Sequence, residues 1–121
     1  MQAFDKVKVA VKALDSKKGT DIEVIQIDSV SSLGDYLIIV TGNSTTQVRA
    51  LAEEAEYKLE QAGAAPDHVE GRASGWILLD CNDVMIHVFT PQQREFYALG
   101  HLWQDGQPLD ISTFLTEGED A

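Results

Sequence analysis

The sequence is poor in the residues that several classes of protein depend on. Its single cysteine, Cys81, excludes an internal disulfide and is typical of a protein from a reducing compartment. No apolar run approaches the roughly 20 residues that a membrane-spanning helix needs. Lysines interrupt the apolar residues near the N-terminus, which argues against a signal peptide. A cytoplasmic location without membrane contact is therefore expected.

Basic residues are scarce outside the N-terminal segment. The 121 residues include 9 Lys and Arg against 20 Asp and Glu, for a net charge of −11. Residues 1–18 contain five lysines and two aspartates, so the other residues carry four basic and eighteen acidic side chains. Such a surface repels phosphate, and direct nucleic-acid binding is not expected. It favours a basic protein partner; the alternative is that the acids only keep the protein soluble.

The motifs of metal and nucleotide chemistry are also missing. One cysteine and three scattered histidines do not supply the spacing of a zinc site. The turn 42–44 follows a predicted strand and precedes a predicted helix, a position that can present amides to phosphate, but it lacks both glycine-rich fingerprints. No pair of carboxylates one residue apart lies on a predicted strand to hold catalytic metals. A structural helix cap is therefore favoured over a nucleotidyltransferase site, and no cofactor is expected.

A short apolar run and the segment after it give the clearest structural pattern. Residues 36–40 are consecutive apolar residues rich in Ile and Val, which predicts a central strand covered on both faces. Ser44-Thr45-Thr46-Gln47 fits a capping box, in which Gln47 would reach back to the Ser44 amide. The predicted helix runs to about Ala62 and ends at Gly63.

The remaining patterns predict an α/β fold. A strand–helix–strand unit and a terminal hairpin together favour a mixed sheet of about five strands with helices packed on it. Residues 1–106 are predicted to form one domain, and residues 107–121 an acidic tail. The other predicted elements are a helix at 3–18 with Gly19 at its C-terminal cap, strands at 22–27, 67–71, 76–80 and 84–89, and a helix from Pro91 to about Leu99.

The predicted hairpin has two faces of different character. One side of each strand is wholly aliphatic and belongs to the core. The other side combines Trp76 and Phe89 with His87 and acidic residues, which is the composition of a protein-binding patch. A lone histidine at position 87 is more often a hydrogen-bonded residue than a metal ligand. The alternative, that a helix covers this face and buries Trp76, stays open.

A series of segments across the chain matches one known family in order and spacing. They are 35–44, 48–50, Glu70-Gly71, 76–80, Asp83-Val84, 87–89, 94–97 and Leu102-Trp103, and together they cover about residues 3–106. This series resembles the ribosomal silencing factors, also called the Iojap family. Cys81-Asn82 departs from a more usual glycine-containing turn, and Gly100 interrupts the last helix.

The resemblance implies a cytoplasmic bacterial protein with a nucleotidyltransferase-like fold and no enzymatic activity. It implies binding to the large ribosomal subunit through its protein of the L-fourteen family, which blocks the small subunit and lowers translation when nutrients are short. A homodimer is implied for the free protein. A large-subunit assembly factor and a nucleotide-binding or nucleotidyltransferase domain are the alternatives. The residues predicted to contact the partner are Glu70, Trp76, Leu78, Asp80, Asp83, His87, Glu95 and Tyr97.

Overall fold

The computed structural model describes residues 2–28, 34–72, 75–97 and 106–112. No helix in this part of the chain has the length and apolar character needed to cross a bilayer. The elements in chain order are α1 (Ala3–Ser16), β1 (Thr20–Gln26), β2 (Tyr36–Thr41), α2 (Thr45–Gln61), β3 (His68–Glu70), β4 (Trp76–Asp80), β5 (Val84–Phe89), α3 (Pro91–Tyr97) and β6 (Gln107–Leu109).

The strands form one mixed sheet in the order β3-β4-β5-β2-β1-β6. Strands β2 and β5 are parallel, and the other neighbours are antiparallel. Strand β2 lies inside the sheet, and its residues Leu37 to Val40 are at most 1% exposed. The predicted α/β fold with a mixed sheet is confirmed, as is the assignment of β2 as a central strand.

Helices α1 and α2 cover one face of the sheet and form the main core with it. Val7, Val11 and Leu14 of α1 pack with the buried stripe of α2, which includes Val48 and Leu51. The sheet contributes its aliphatic side chains to this core, which are Val24, Ile38, Val40, Ile77, Leu79, Val84, Ile86 and Val88. The predicted assignment of the aliphatic hairpin side to the core is therefore confirmed.

The opposite face of the sheet carries a second, smaller core. Ile25, Ile27, Leu37, Ile39 and Phe89 are buried in it, and Trp76 and Met85 pack against it while staying partly exposed. Phe89 is fully buried rather than part of an exposed patch. This face is thus buried at Phe89 and accessible at Trp76. The predicted exposed patch and the alternative of a covered face each describe part of it.

Strand β6 corrects the prediction of a tail that starts at residue 107. Residues 107–109 pair with residues 24–26 of β1, and Leu109 and Ile111 pack against the main core. The strand covers what would otherwise be the open edge of β1, and its proline is tolerated because it lies on an edge strand. The described sheet therefore has six strands instead of about five. Residues 113–121 of the predicted tail, and the predicted continuation of α3 to Leu99, lie outside the described residues.

Candidate protein-binding site

Strand pairing places most of the predicted contact residues on one face of the sheet. Glu70 is the cross-strand partner of Leu78, and Leu78 is the partner of His87. Paired residues point to the same side of a sheet, and these alternate with the core residues, so they face away from α1 and α2. We call this surface the β3–β5 face; its members are His68, Glu70, Trp76, Leu78, Asp80, Met85 and His87.

A shallow pocket lies at the outer end of the β3–β5 face. Glu70, Gly71, Trp76 and Leu78 line it, with a volume of about 260 Å³. Glu70 is exposed, whereas Trp76 and Leu78 are partly buried. Three of the predicted contact residues thus form a pocket with an aromatic wall and a carboxylate at its rim.

The rings of Phe89 and His87 hold Trp76 at this pocket. Its ring centroid lies 5.1 Å from that of the buried Phe89, and the His87 ring lies nearly parallel to Phe89 at 5.8 Å. The indole Nε1–H donates a hydrogen bond to His87 Nδ1 at 3.0 Å. The tryptophan is therefore fixed on one side by the core, while its other side borders the pocket.

His87 takes part in this arrangement as a neutral ring. Burial lowers the pKa of His87 from 6.5 to about 4, so the side chain is uncharged at neutral pH. Because Nδ1 accepts a hydrogen bond, the proton of the neutral ring lies on Nε2. The interpretation of His87 as a hydrogen-bonded residue is confirmed. Within the described ranges, no three His, Cys, Asp or Glu side chains converge as a metal site would require.

The two aspartates that flank the hairpin turn have different roles. Asp80 lies on the β3–β5 face, and its Oδ1 accepts from the Asn82 amide at 2.9 Å, which supports the positive φ of 73° at Asn82. Asp83 instead accepts from Lys6 Nζ at 2.7 Å, and this lysine also donates to the Cys81 carbonyl at 3.0 Å. Lys6 belongs to α1, on the other side of the sheet, so the structure does not bring Asp83 to the predicted contact surface.

Arg94 fixes helix α3 to the sheet, on the side of the β3–β5 face. Its guanidinium donates to the Asp21 carbonyl at 2.8 Å and to Thr41 Oγ1 at 2.7 Å, and it pairs with Glu23. Glu95 is exposed on α3 beside this brace, whereas the side chain of Tyr97 lies outside the described part of the structure. Sequence reasoning included Arg94 in a family segment but missed its bracing role, because its partners are 53 to 73 residues away.

Two further members of the β3–β5 face were not among the predicted contact residues. His68 is exposed and pairs with Asp80, and Met85 is partly buried opposite the same aspartate. Alternation along the strands is the signal that places both of them there, although strand β3 has only three residues to show it.

The start of α2, the site of the nucleotide alternative, is occupied by the chain's own groups. Ser44 Oγ accepts from the Gln47 amide at 3.1 Å, and Gln47 Oε1 accepts from the Asn43 amide at 2.6 Å rather than from the predicted Ser44 amide. A Cβ atom on Gly42 would lie 2.9 Å from the Val48 nitrogen, so this glycine permits close packing of strand and helix. These contacts support a structural cap. Burial also raises the pKa of the Cys81 thiol to about 12, which disfavours a nucleophilic thiolate.

Comparison with known proteins agrees with the series of matching segments. The family model for a ribosomal silencing factor during starvation matches residues 1–121. The chain belongs to this ribosomal silencing factor family. The ribosomal silencing factor of Chromobacterium violaceum is 39% identical over 102 residues, which are 84% of each chain. That of Bacillus subtilis is 35% identical over 106 residues, covering 87% of this chain and 90% of the relative.

Structures and more distant relatives extend this comparison. A crystal structure of a protein from C. violaceum has 37% identity and a TM-score of 0.84, covering 86% of this chain and 88% of that one. The chloroplastic Iojap protein of Zea mays is 30% identical across 83% of this chain and 44% of the relative. The mouse protein named mitochondrial assembly of ribosomal large subunit protein 1 is also 30% identical, across 83% of this chain and 45% of its own. The resemblance to the silencing factor and Iojap family is confirmed.

Proposed function

We propose that the protein represses translation by binding the large ribosomal subunit and excluding the small one. The partner is the subunit's basic protein of the L-fourteen family, and the β3–β5 face is the contact surface. The protein acts in the cytoplasm under nutrient limitation, without catalysis and without direct contact with nucleic acid. Membership of the silencing factor family supports this role. Resemblance to the family also supports a homodimer for the free protein.

The observation that carries the proposal is the state of Trp76. Its indole is backed by the buried Phe89 and borders a pocket with Glu70 and Leu78, so it is ordered and partly exposed at once. Tryptophans in such positions are frequent anchors of protein interfaces, because a large apolar area is buried at little conformational cost. Trp76 is therefore the proposed anchor.

The polar residues around the anchor suit a basic partner. Glu70 is exposed at the pocket, Asp80 lies further along the same face, and Glu95 is exposed on α3. Lysine and arginine side chains of the ribosomal protein would form charge-assisted hydrogen bonds with these carboxylates. Electrostatic contacts of this kind mainly increase the association rate and the specificity.

Substitution of the anchor tests the contact. Trp76→Ala is expected to weaken binding by about 2–4 kcal/mol, roughly 30- to 1,000-fold, and to abolish co-sedimentation with large subunits. Tyr57→Ala is the matched control, since Tyr57 is an aromatic residue 51% exposed on α2, which covers the opposite face. Circular dichroism establishes that both variants are folded. Unchanged co-sedimentation of a folded Trp76→Ala variant, or an equal loss in Tyr57→Ala, contradicts the proposed site.

A subunit-joining assay tests exclusion separately from binding. Purified large and small subunits are mixed with and without the protein, and the formation of complete ribosomes is followed by light scattering. Exclusion predicts that joining falls as the protein saturates the large subunits and recovers with the Trp76→Ala variant. Normal joining by large subunits that carry the protein would refute exclusion even if binding is confirmed.

A role in assembly of the large subunit is the second candidate. The name of the mouse relative, which describes mitochondrial assembly of the ribosomal large subunit, favours it. Both functions use the same contact, so variants of the β3–β5 face do not separate them. Polysome profiles of a deletion strain do: accumulated large-subunit precursors indicate assembly, whereas normal subunits with unrestrained translation in starved cells indicate silencing.

A further inference from the structure

The hydrogen bond between Trp76 and His87 satisfies the indole N–H of Trp76. An indole N–H is a donor only, and a partly buried donor without an acceptor is unfavourable. The Trp76 Nε1–H donates to His87 Nδ1 at 3.0 Å. The imidazole therefore specifies which edge of the indole points toward strand β5.

The stacked rings restrict the same tryptophan in a second direction. The His87 and Phe89 rings are within 8° of parallel, and the Trp76 ring is inclined by 29° to Phe89 and by 34° to His87. Stacking alone leaves the indole able to flip about its Cβ–Cγ bond, which would exchange its two faces. The hydrogen bond removes this freedom, because the turned ring would point its N–H away from the imidazole.

We propose that His87 is a positioning residue, which holds the Trp76 indole in the orientation in which it borders the pocket with Glu70 and Leu78. This inference rests on the proposed function of Trp76 as the interface anchor. In this role His87, although it lies on the β3–β5 face and was predicted to contact the partner, contributes to affinity through Trp76 and not through a contact of its own. A pre-oriented anchor binds more tightly because less freedom is lost on association.

Two substitutions at position 87 separate the acceptor from the ring. His87→Phe keeps an aromatic ring for stacking on Phe89 but removes the acceptor. His87→Gln loses the ring but keeps an acceptor in its side-chain carbonyl. If the acceptor matters, the Gln variant should resemble the original chain more closely than the Phe variant does.

The orientation of the indole is measured directly by NMR on ¹⁵N-labelled protein. Trp76→Phe assigns the Trp76 Nε1–H signal, because the chain has a second tryptophan at position 103. His87→Phe is expected to shift this signal and to speed its exchange with solvent at least tenfold, and His87→Gln to restore most of the protection. An unchanged signal and exchange rate in His87→Phe overturns the inference, whatever the binding data show.

Binding to large subunits is then measured in a double-mutant cycle. His87→Phe alone is expected to weaken binding about fivefold, and to have no further effect when Trp76 is already Ala. Additive losses would mean that His87 contacts the partner itself, which overturns the positioning role. If Trp76→Ala binds normally, the proposed anchor fails, and the NMR experiment still decides whether His87 orients the indole.

Discussion

At the scale of single residues, the buried His87 links the stability of the protein to pH. Its pKa is 6.5 when unfolded and about 4 in the folded chain, so the unfolded state binds the proton more tightly. His87 therefore does not lower the free energy of unfolding above about pH 6.5, and it lowers this free energy progressively as the pH falls toward 4. The loss from this group should approach about 3 kcal/mol.

Urea denaturation at pH 7.0, 5.5 and 4.0 measures this dependence. Carboxylates that are paired in the folded state also lower stability in acid, so the native chain must be compared with a variant that lacks the histidine. His87→Phe should lose less stability between pH 7.0 and 4.0 than the native chain does. Parallel losses in the two chains would show that His87 does not titrate as described.

The end of α1 shows what a residue pattern predicts and what it leaves out. Gly19 was predicted as the cap residue, but Lys18 takes the left-handed conformation with φ 62°, and α1 ends at Ser16. Gly19 is needed for space, since a Cβ atom there would lie 2.6 Å from Val40 Cγ2. A left-handed cap and a position without space for a Cβ atom both favour glycine. Only the packing of β2 near the end of α1 shows that Gly19 has the second role.

At the scale of elements, the ion pair between Lys6 and Asp83 connects α1 to the β4–β5 hairpin. The two side chains are 15% and 28% exposed. Asp83→Asn should therefore lower stability by about 1–2 kcal/mol, because Lys6 keeps its charge in a partly buried position. Binding to large subunits should stay within about twofold of the native value, since this contact faces away from the β3–β5 face.

Glu70→Gln is the matched variant, because Glu70 is exposed on the β3–β5 face. It should weaken binding and leave the urea midpoint unchanged, the reverse of the expectation for Asp83→Asn. The two proteins can be compared by the same denaturation and co-sedimentation measurements. A larger binding loss in Asp83→Asn than in Glu70→Gln would return Asp83 to the contact surface and contradict this assignment.

The elements that sequence reasoning predicted well are those specified by neighbouring residues. Strand β2, helix α2 and the β4–β5 hairpin have clear periodicity and turn signals, and they lie within one or two residues of the predicted bounds. Strand β6 contains Pro108 and has only three residues, so no local signal indicates it. Its existence depends on pairing with β1, more than 80 positions earlier in the chain.

The same distinction applies to the candidate site. Alternation along β4 and β5 placed Trp76, Leu78, Asp80 and His87 on one side, as the register shows. Alternation did not indicate that Phe89 is buried, because the residues buried with it come from β2, from β1 and from Ile27 just after β1. Alternation also did not indicate that Asp80 lies on the β3–β5 face and Asp83 does not, since Lys6, the partner of Asp83, is 77 residues away.

At the scale of the whole molecule, the lysines of α1 and the carboxylates of the β3–β5 face lie on opposite sides of the sheet. Three of the nine basic residues lie on α1, which covers the side opposite the β3–β5 face. The carboxylates of Glu70 and Asp80 are therefore not neutralised by the N-terminal lysines. An acidic surface around an aromatic pocket is suited to guiding a basic protein toward it.

This arrangement predicts that association with the basic ribosomal protein depends on salt. Raising NaCl from 50 to 300 mM shortens the screening length to below about 10 Å, so the association rate should fall roughly tenfold while dissociation changes little. Stopped-flow measurements with the purified L-fourteen family protein provide both rates. Glu70→Lys and Glu60→Lys each raise the net charge by two, but on opposite sides of the sheet. Steering by the β3–β5 face requires that Glu70→Lys slows association several-fold and that Glu60→Lys does not. Equal slowing by the two variants would mean that the overall charge and not this face guides association, and rates that do not change with salt would mean that the acids serve solubility alone.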